Sequence, residues 1–263
     1  MNFATIDMGI LGPAFIAGVL VTATHAPLGI QVLNRGIVFI DLAIAQVAGL
    51  GVIFADWLGL EPLGWAVQTA ALAAALAGAL LLTWTDRRWP EVQEAIIGST
   101  FVLAASGALL LLAANPHGGE HLKELLVGQI LWVNWTRLAP VALVYAVVLA
   151  FWFGMREHIS RIGFYMLFAA TVTVSVQLVG LYLVFTTLII PALATHQLQR
   201  ARLAICYALG AAGYAAGLLA SGVFDLPSGA VIVWAMALLA IPVFAYAARH
   251  PLRGAQSAPR ETR

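Results

Sequence analysis

Long apolar segments follow one another along almost the whole chain and constrain its fold more than any other feature. Eight can be drawn, over residues 8–32, 37–60, 65–84, 94–114, 138–155, 163–195, 201–223 and 229–248. Each is near or above the ~20 residues that cross a bilayer as a helix. Charged residues make up 10% of the chain, whereas a soluble domain carries roughly a quarter. Because backbone polar groups facing lipid must be satisfied within one segment, we predict an all-α fold, a polytopic integral membrane helix bundle of about eight transmembrane helices.

The segment 163–195 is much longer than one crossing requires, and the basic residues around it disagree with a single crossing. Arg161 precedes the segment and Arg202 follows it, yet arginines collect on the cytoplasmic side of a membrane. We therefore predict a broken or re-entrant pair of short helices, with Gly180 and Pro191 as the interrupting residues. The alternative is one long tilted helix that is an exception to the charge rule. With the break, the N-terminus lies outside and the C-terminus inside.

The rest of the chain leaves no room for a soluble domain. We assign residues 1–248 to one transmembrane domain and residues 249–263 to a flexible basic cytoplasmic tail. Residues 115–137 form a polar loop followed by an amphipathic stretch with tryptophans, which we expect to lie along the external interface. The single cysteine, Cys206, rules out an internal disulfide and is expected to pack inside an apolar helix.

Asp41 is the candidate functional residue that stands out, because it lies in the apolar run "NRGIVFIDLAIAQVAGLG". An ionised carboxylate near the bilayer core costs several kcal/mol, so one kept there faces a cavity, a partner charge or a transported ion. The structural alternative is a pair with Arg35 or a position near the membrane surface. Ala45 and Ala48 share the helical face of Asp41, whereas Gln46 does not. A metal site would therefore recruit ligands from another helix.

Three further groups are weighed against structural roles. His25 lies inside the first span, ahead of Pro27, which we expect to bend or end that helix; its imidazole is either a metal ligand or a hydrogen-bonded group in the bundle. The motif "HGGEH", residues 117–121, has the H-x-x-E-H spacing of one metalloprotease class, but its glycines favour a solvated loop. Glu94 opens the fourth span, where an acidic residue complements the helix dipole.

Five blocks in order resemble one family. They are "HAPLGIQVLNRGIVFIDLAIAQVAGLGV", "EAIIGSTFVLAASGALLLL", "ELLVGQILWVNW", "VQLVGLYLVFTTLIIPALAT" and "FDLPSGAVIV". The chain resembles a divergent member of the membrane permeases of zinc/manganese-type bacterial ABC importers, from its first helix to its last. The resemblance implies a multi-pass protein of the bacterial inner membrane and a homodimer. It also implies a cytoplasmic ATP-binding subunit and an external metal-binding protein as partners. It implies no permanent cofactor, only a transported divalent ion.

The resemblance also bears on single residues. In the family, the second helix carries an aspartate followed four residues later by a histidine, and Asp41 matches the aspartate. Ala45 stands where the histidine would be, or Gln46 if one residue is inserted. Gln46, His25 or water is therefore expected to complete the coordination of the metal on its path. Relatives have a longer cytoplasmic stretch before segment 163–195, and here the candidates for contact with the ATPase are Arg156, Glu157, His158 and Arg161.

The leading hypothesis is a permease subunit that moves zinc, manganese or iron and is not itself an enzyme. Nothing in the chain resembles a phosphate-binding loop, so ATP hydrolysis is assigned to a separate subunit. One alternative keeps the fold but moves another small solute or a metal chelate. Others are a stand-alone secondary transporter and a membrane metallopeptidase built on His117 and His121.

Overall fold

The computed structural model describes residues 8–60, 64–112, 130–155, 159–198 and 201–249. These residues form nine α-helices and two short 3₁₀ turns, and no strand occurs among them, so the predicted all-α fold is confirmed. The helices are α1 Met8–Arg35, α2 Ile40–Trp57, α3 Trp65–Arg88, α4 Gln93–Leu112, α5 Trp135–Gly154, α6 Arg161–Val179, α7 Leu181–Ala194, α8 Arg202–Phe224 and α9 Ser228–Arg249.

Within this described part, seven helices are long and apolar enough to cross a membrane, namely α1, α2, α3, α5, α6, α8 and α9. Helix α7 is apolar but has 14 residues, which is about 21 Å of helix and less than the ~30 Å hydrocarbon core. The predicted spans and the observed helices agree closely, except in segment 163–195, where two helices stand in place of one span.

The predicted break in segment 163–195 is confirmed and lies at Gly180. Helix α6 ends at Val179, α7 begins at Leu181, and Gly180 between them has φ +86°, a left-handed conformation that favours glycine. Gly180 is buried, as irregular backbone at membrane depth must be. Pro191 does not interrupt the chain, because α7 continues through it to Ala194. The alternative of one long tilted helix is therefore wrong.

Pro27 does not end the first helix, so that part of the expectation is wrong. Helix α1 runs past Pro27 to Arg35, although proline has no N–H and frees the carbonyl four residues earlier. That carbonyl belongs to Ala23, and the hydroxyl of Tyr207 on α8 donates a hydrogen bond to it at 3.3 Å. A neighbouring helix thus supplies the donor that the proline removed.

Small residues bring the helices close together, as expected for a bundle in lipid. A Cβ at Gly29 of α1 would overlap the backbone carbonyl of Leu188 on α7. A Cβ at Gly18 would overlap the ring of Tyr214 on α8. Helix α1 is therefore in backbone contact with α7 and in close ring contact with α8, and its buried face cannot accept larger side chains there.

The charged ends of several helices meet at one end of the bundle, which we call the basic end. Side chains from the C-terminal ends of α1 and α3 contact the N-terminal ends of α6 and α8. The contacts are Arg35 over the ring of Phe164 (4.1 Å), Arg161 with Asp86 (3.1 Å) and Arg202 with Asn34 (3.5 Å). The arginines that the charge rule assigned to the cytoplasm thus share one end.

Two other expectations concern regions that the structure describes only in part or residues whose packing it shows directly. Of residues 115–137, the structure describes 130–137, where Trp132 and Trp135 are exposed while Ile130 is buried in the core. Cys206 is buried in α8 as expected, and its thiol donates a hydrogen bond to the carbonyl of Pro191 at 3.3 Å. The tail assigned to residues 249–263 lies outside the described residues beyond Arg249.

Candidate functional site

Asp41 is fully buried at the second position of α2. Neither of its carboxylate oxygens has a hydrogen-bond partner. The proposed pair with Arg35 does not form, since that guanidinium lies over the ring of Phe164. The only ion pair among the described residues joins Arg161 and Asp86. A carboxylate that is out of water and without a partner is costly, so Asp41 is a poor candidate for a stabilising role.

The position of Asp41 in α2 explains how the fold accommodates it. The helix begins at Ile40, so Asp41 lies in the first turn, where the positive end of the helix dipole favours a negative group. This end of α2 also meets α4, because the backbone N–H of Phe39 donates to Oε1 of Glu94 at 3.3 Å. Glu94 thus has the structural role expected of an acidic residue at a helix start.

The neighbours of Asp41 on α2 offer no second ligand. Ala45 and Ala48 are each 4% exposed and continue its buried face. Gln46 is only partly buried and, five residues on, points about 140° away around the helix. The structure therefore does not bring the amide of Gln46 to Asp41, and any further ligand must come from another helix.

His25 is a second buried polar group, and only one of its two ring nitrogens has a hydrogen-bond partner. Its Nδ1 lies 2.9 Å from the carbonyl oxygen of Val21 and 3.0 Å from Oγ1 of Thr24. A carbonyl accepts only, so Nδ1 carries the hydrogen and Nε2 keeps its lone pair. Nε2 is buried and has no partner. This arrangement, one ring nitrogen donating to a carbonyl and the other free, is the one that metal-binding histidines adopt.

No direct contact joins His25 and Asp41 among the described residues, because Nε2 of His25 and both carboxylate oxygens of Asp41 lack hydrogen-bond partners. Helix α7 packs against both α1 and α2, whereas α1 and α2 are not among the helix pairs in extensive contact. His25 lies ten residues before Arg35, the last residue of α1, which is about 15 Å along the helix axis. Asp41 is at the start of the next helix. Helix α7 connects the two regions, because Gly29, one turn after His25, packs on Leu188, and Phe39, two residues before Asp41, stacks on Phe185.

Sequence reasoning missed two buried hydroxyl pairs that link helices in the core. Tyr145 on α5 bonds to Ser175 on α6 at 2.5 Å, and Tyr214 on α8 bonds to Thr187 on α7 at 2.9 Å. Hydroxyl residues inside apolar segments are common and give no signal of their partners. Only the packing of the helices shows that these pairs are satisfied, in contrast to Asp41 and His25.

The other candidates are placed as follows. Arg161 lies at the basic end, where it also donates to the backbone carbonyl of Asp86 at 3.2 Å. Its companions in the predicted ATPase contact, Arg156, Glu157 and His158, lie outside the described residues, as does the motif at 117–121. Across the residues that are described, no three His, Cys, Asp or Glu side chains come together as a metal site.

Three named proteins are similar to this chain over most of its length. The high-affinity zinc uptake system membrane protein ZnuB of Haemophilus influenzae is 22% identical, across 88% of this chain and 95% of its own. The manganese transport system membrane protein MntC of Halalkalibacterium halodurans is 24% identical, across 90% and 86%. The chelated iron transport system membrane protein YfeC of Yersinia pestis is 27% identical, across 74% and 73%. The names of these relatives specify three different cargoes.

The same fold occurs in a solved structure, PsaBC from Streptococcus pneumoniae in complex with Fab. The TM-score is 0.75 at 21% identity, and the match covers 93% of this chain and 95% of that one. The sequence also matches the ABC 3 transport family over residues 7–164 and 149–247, which is nearly the whole chain. Together with the seven apolar helices, these matches confirm a multi-pass inner-membrane protein, and the chain belongs to the ABC 3 transport family.

Proposed function

We propose that the chain is the membrane-spanning permease subunit of an ABC importer for a divalent metal ion, zinc, manganese or iron. The chain itself is no enzyme, because ATP hydrolysis falls to a separate cytoplasmic subunit. The observation that carries the proposal is Asp41, a buried carboxylate with two unpartnered oxygens in a chain of this family. Relatives named for zinc, manganese and chelated iron transport support the cargo class.

Asp41 acts in this proposal as a transient ligand. A carboxylate that is already free of protein partners binds a cation without first breaking a hydrogen bond or an ion pair. A single ligand holds the ion weakly, and conduction requires that the ion also leaves. The missing partners, which make Asp41 costly for the folded chain, are thus what a passing cation needs.

His25 is the second group that we assign to the path. Its free Nε2 lone pair offers a borderline nitrogen donor, whereas Asp41 offers hard oxygens. Gln46 stays assigned on sequence grounds, and its amide would reach the ion from another face of α2.

The partners proposed for this subunit are a second copy of the chain, a cytoplasmic ATP-binding subunit and an external metal-binding protein. The contact with the ATP-binding subunit is assigned to the residues between α5 and α6, at the basic end. Its proposed members are Arg156, Glu157, His158 and Arg161.

The test measures uptake of labelled zinc, manganese and iron in cells whose only metal importer is the complete system. Asp41→Asn keeps the shape of the side chain and removes its charge, so we expect a loss of uptake of the cargo metal. The matched control is Asp56→Asn, at the other end of α2, which should transport normally. Membrane levels of each variant are measured by immunoblot. Normal uptake by Asp41→Asn at normal levels would remove Asp41 from the path.

One other cargo is favoured by a specific observation. The residues that share the face of Asp41 on α2, namely Ile44, Ala45 and Ala48, are apolar, and a metal chelate brings most of its own ligands. A relative named for chelated iron transport supports this second candidate. Uptake of a chelated ion that exceeds uptake of the free ion by the same cells would support it, and the reverse order would exclude it.

A further inference from the structure

One face of α3 changes from apolar to basic where the helix reaches the basic end of the bundle. Leu80, Leu81 and Trp84 are 54%, 48% and 57% exposed, and in a membrane-spanning helix such side chains face lipid. Arg87 and Arg88 follow one turn later and are also exposed. At 100° per residue, all five lie on one third of the helix surface. A lipid fits this order, with its acyl chain along the apolar residues and its charged headgroup at the arginines.

Two indoles shape the boundary between the apolar and basic parts. Trp84 and Trp89 meet edge to face, with ring centroids 5.3 Å apart and an interplanar angle of 89°. The guanidinium of Arg88 lies 6.0 Å from the ring centroid of Trp89, within the range of cation–π attraction. Tryptophans of this kind prefer the headgroup level of a bilayer. The pair therefore places the two guanidinium groups at the depth of the phosphates.

The charges around this face leave it positive. The neighbouring carboxylate of Asp86 is already bound by Arg161 at 3.1 Å. Glu91 is exposed beyond the indoles and is the nearest acidic residue that follows in the chain. In the part of the chain that the structure describes, no carboxylate lies within ion-pair distance of Arg87 or Arg88. Their charges are therefore available to an anion.

We propose that this face binds an anionic phospholipid. The headgroup phosphate lies against the guanidinium groups of Arg87 and Arg88, which present several N–H donors to phosphate oxygens. The acyl chains follow Leu80, Leu81 and Trp84 into the bilayer. Charge complementarity selects the anionic headgroup, and the apolar face that continues from the arginines favours a lipid over a soluble anion. This site is independent of Asp41 and of the metal path.

The test is native mass spectrometry of the full-length protein in detergent, titrated with phosphatidylglycerol and, separately, with phosphatidylcholine. We expect wild type to prefer phosphatidylglycerol. The double variant R87Q/R88Q should lose that preference by about fivefold per arginine, the effect of one basic residue at an anionic surface. The double variant R87K/R88K keeps the charges and should retain most of it. Arg249→Gln removes a positive charge at the end of α9, away from any indole pair, and should bind as wild type does.

The remaining outcomes overturn the proposal. An unchanged preference in R87Q/R88Q would show that the arginines hold no headgroup, and an equal loss in Arg249→Gln would show only a diffuse effect of charge. Displacement of the lipid by millimolar inorganic phosphate would identify a phosphate site. Unchanged lipid binding with weaker co-purification of the ATP-binding subunit would identify a protein-docking surface.

Discussion

Two aspartates near the same end of the bundle differ in their burial and in their pairing. Asp86, at the end of α3, keeps part of its side chain in solvent and is paired with Arg161 at 3.1 Å. Asp41, at the start of α2, is fully buried and both of its oxygens lack a partner. A chain shaped only for stability would pair the buried carboxylate first, because burial is what makes a free charge costly. The observed order is the reverse, as the proposed role of Asp41 in transport requires.

The largest expected effect is on the free energy of unfolding, and it tests whether the unpaired carboxylate of Asp41 destabilises the fold. Asp41→Asn replaces a buried ionisable group by a neutral one of equal size. We expect it to raise the free energy of unfolding by about 2 kcal/mol, because an unpartnered charge costs more to bury than an unpartnered amide. Asp86→Asn should instead lower it slightly. Both are measured by denaturant unfolding in detergent, and a large destabilisation by Asp41→Asn would mean that the carboxylate has a structural partner.

The next largest effect is expected at His25, whose buried Nε2 also lacks a hydrogen-bond partner. His25→Phe keeps an aromatic ring of similar size and removes Nε2, so we expect uptake of the cargo metal to fall about tenfold, the lower range for a perturbed metal site. Zinc uptake should fall more than manganese uptake, because imidazole suits zinc better. Thr22→Val is the matched control, because Thr22 is a buried residue of the same helix whose hydroxyl bonds to the carbonyl of Gly18 (2.8 Å). Equal transport by both variants would assign His25 a packing role.

A smaller effect is expected where buried polar groups are satisfied. Tyr214→Phe removes the hydroxyl that bonds to Thr187 but keeps the ring that packs on Gly18. We expect stability to fall by about 1 kcal/mol, as for a typical hydrogen bond, with uptake unchanged. Tyr182→Phe, on the same short helix as Thr187 and 49% exposed, should change neither quantity. A loss of uptake in Tyr214→Phe would place this hydroxyl pair on the path.

The smallest effect is expected at the basic end itself. Arg161→Gln breaks the ion pair with Asp86, whose two side chains are 48% and 18% exposed. Pairs of this kind contribute roughly 0 to 1 kcal/mol, and salt screens them. The difference in stability between Arg161→Gln and wild type should therefore shrink as ionic strength rises. A difference well above this range, unaffected by salt, would mean that Arg161 has a buried structural role.

Much of the fold could be predicted because it follows from local properties of the chain. Helix positions follow from apolar length, and the break at Gly180 follows from a conflict between length and the charge rule. The continuation of α1 past Pro27 could not be predicted in this way, because it depends on a hydroxyl from Tyr207, 180 residues later in the chain. The same holds for the candidate site. Asp41 could be identified from the sequence, because it is a charged residue in an apolar run. Its lack of partners could not, because that depends on the side chains of all the helices packed around it.

The composition and spacing of the residues are sufficient to require a membrane helix bundle, since continuous apolar segments of this length cross lipid as helices, which satisfy their own backbone groups. They are also sufficient to identify Asp41 and His25 as groups in need of an explanation. The relation between those two groups is a matter of packing. Helix α7 lies against both α1 and α2, and this packing, not their separation in sequence, determines where His25 and Asp41 lie relative to each other. Contacts between helices depend on which small residues meet, as Gly29 meets Leu188, and that pairing is decided only when the whole bundle is assembled.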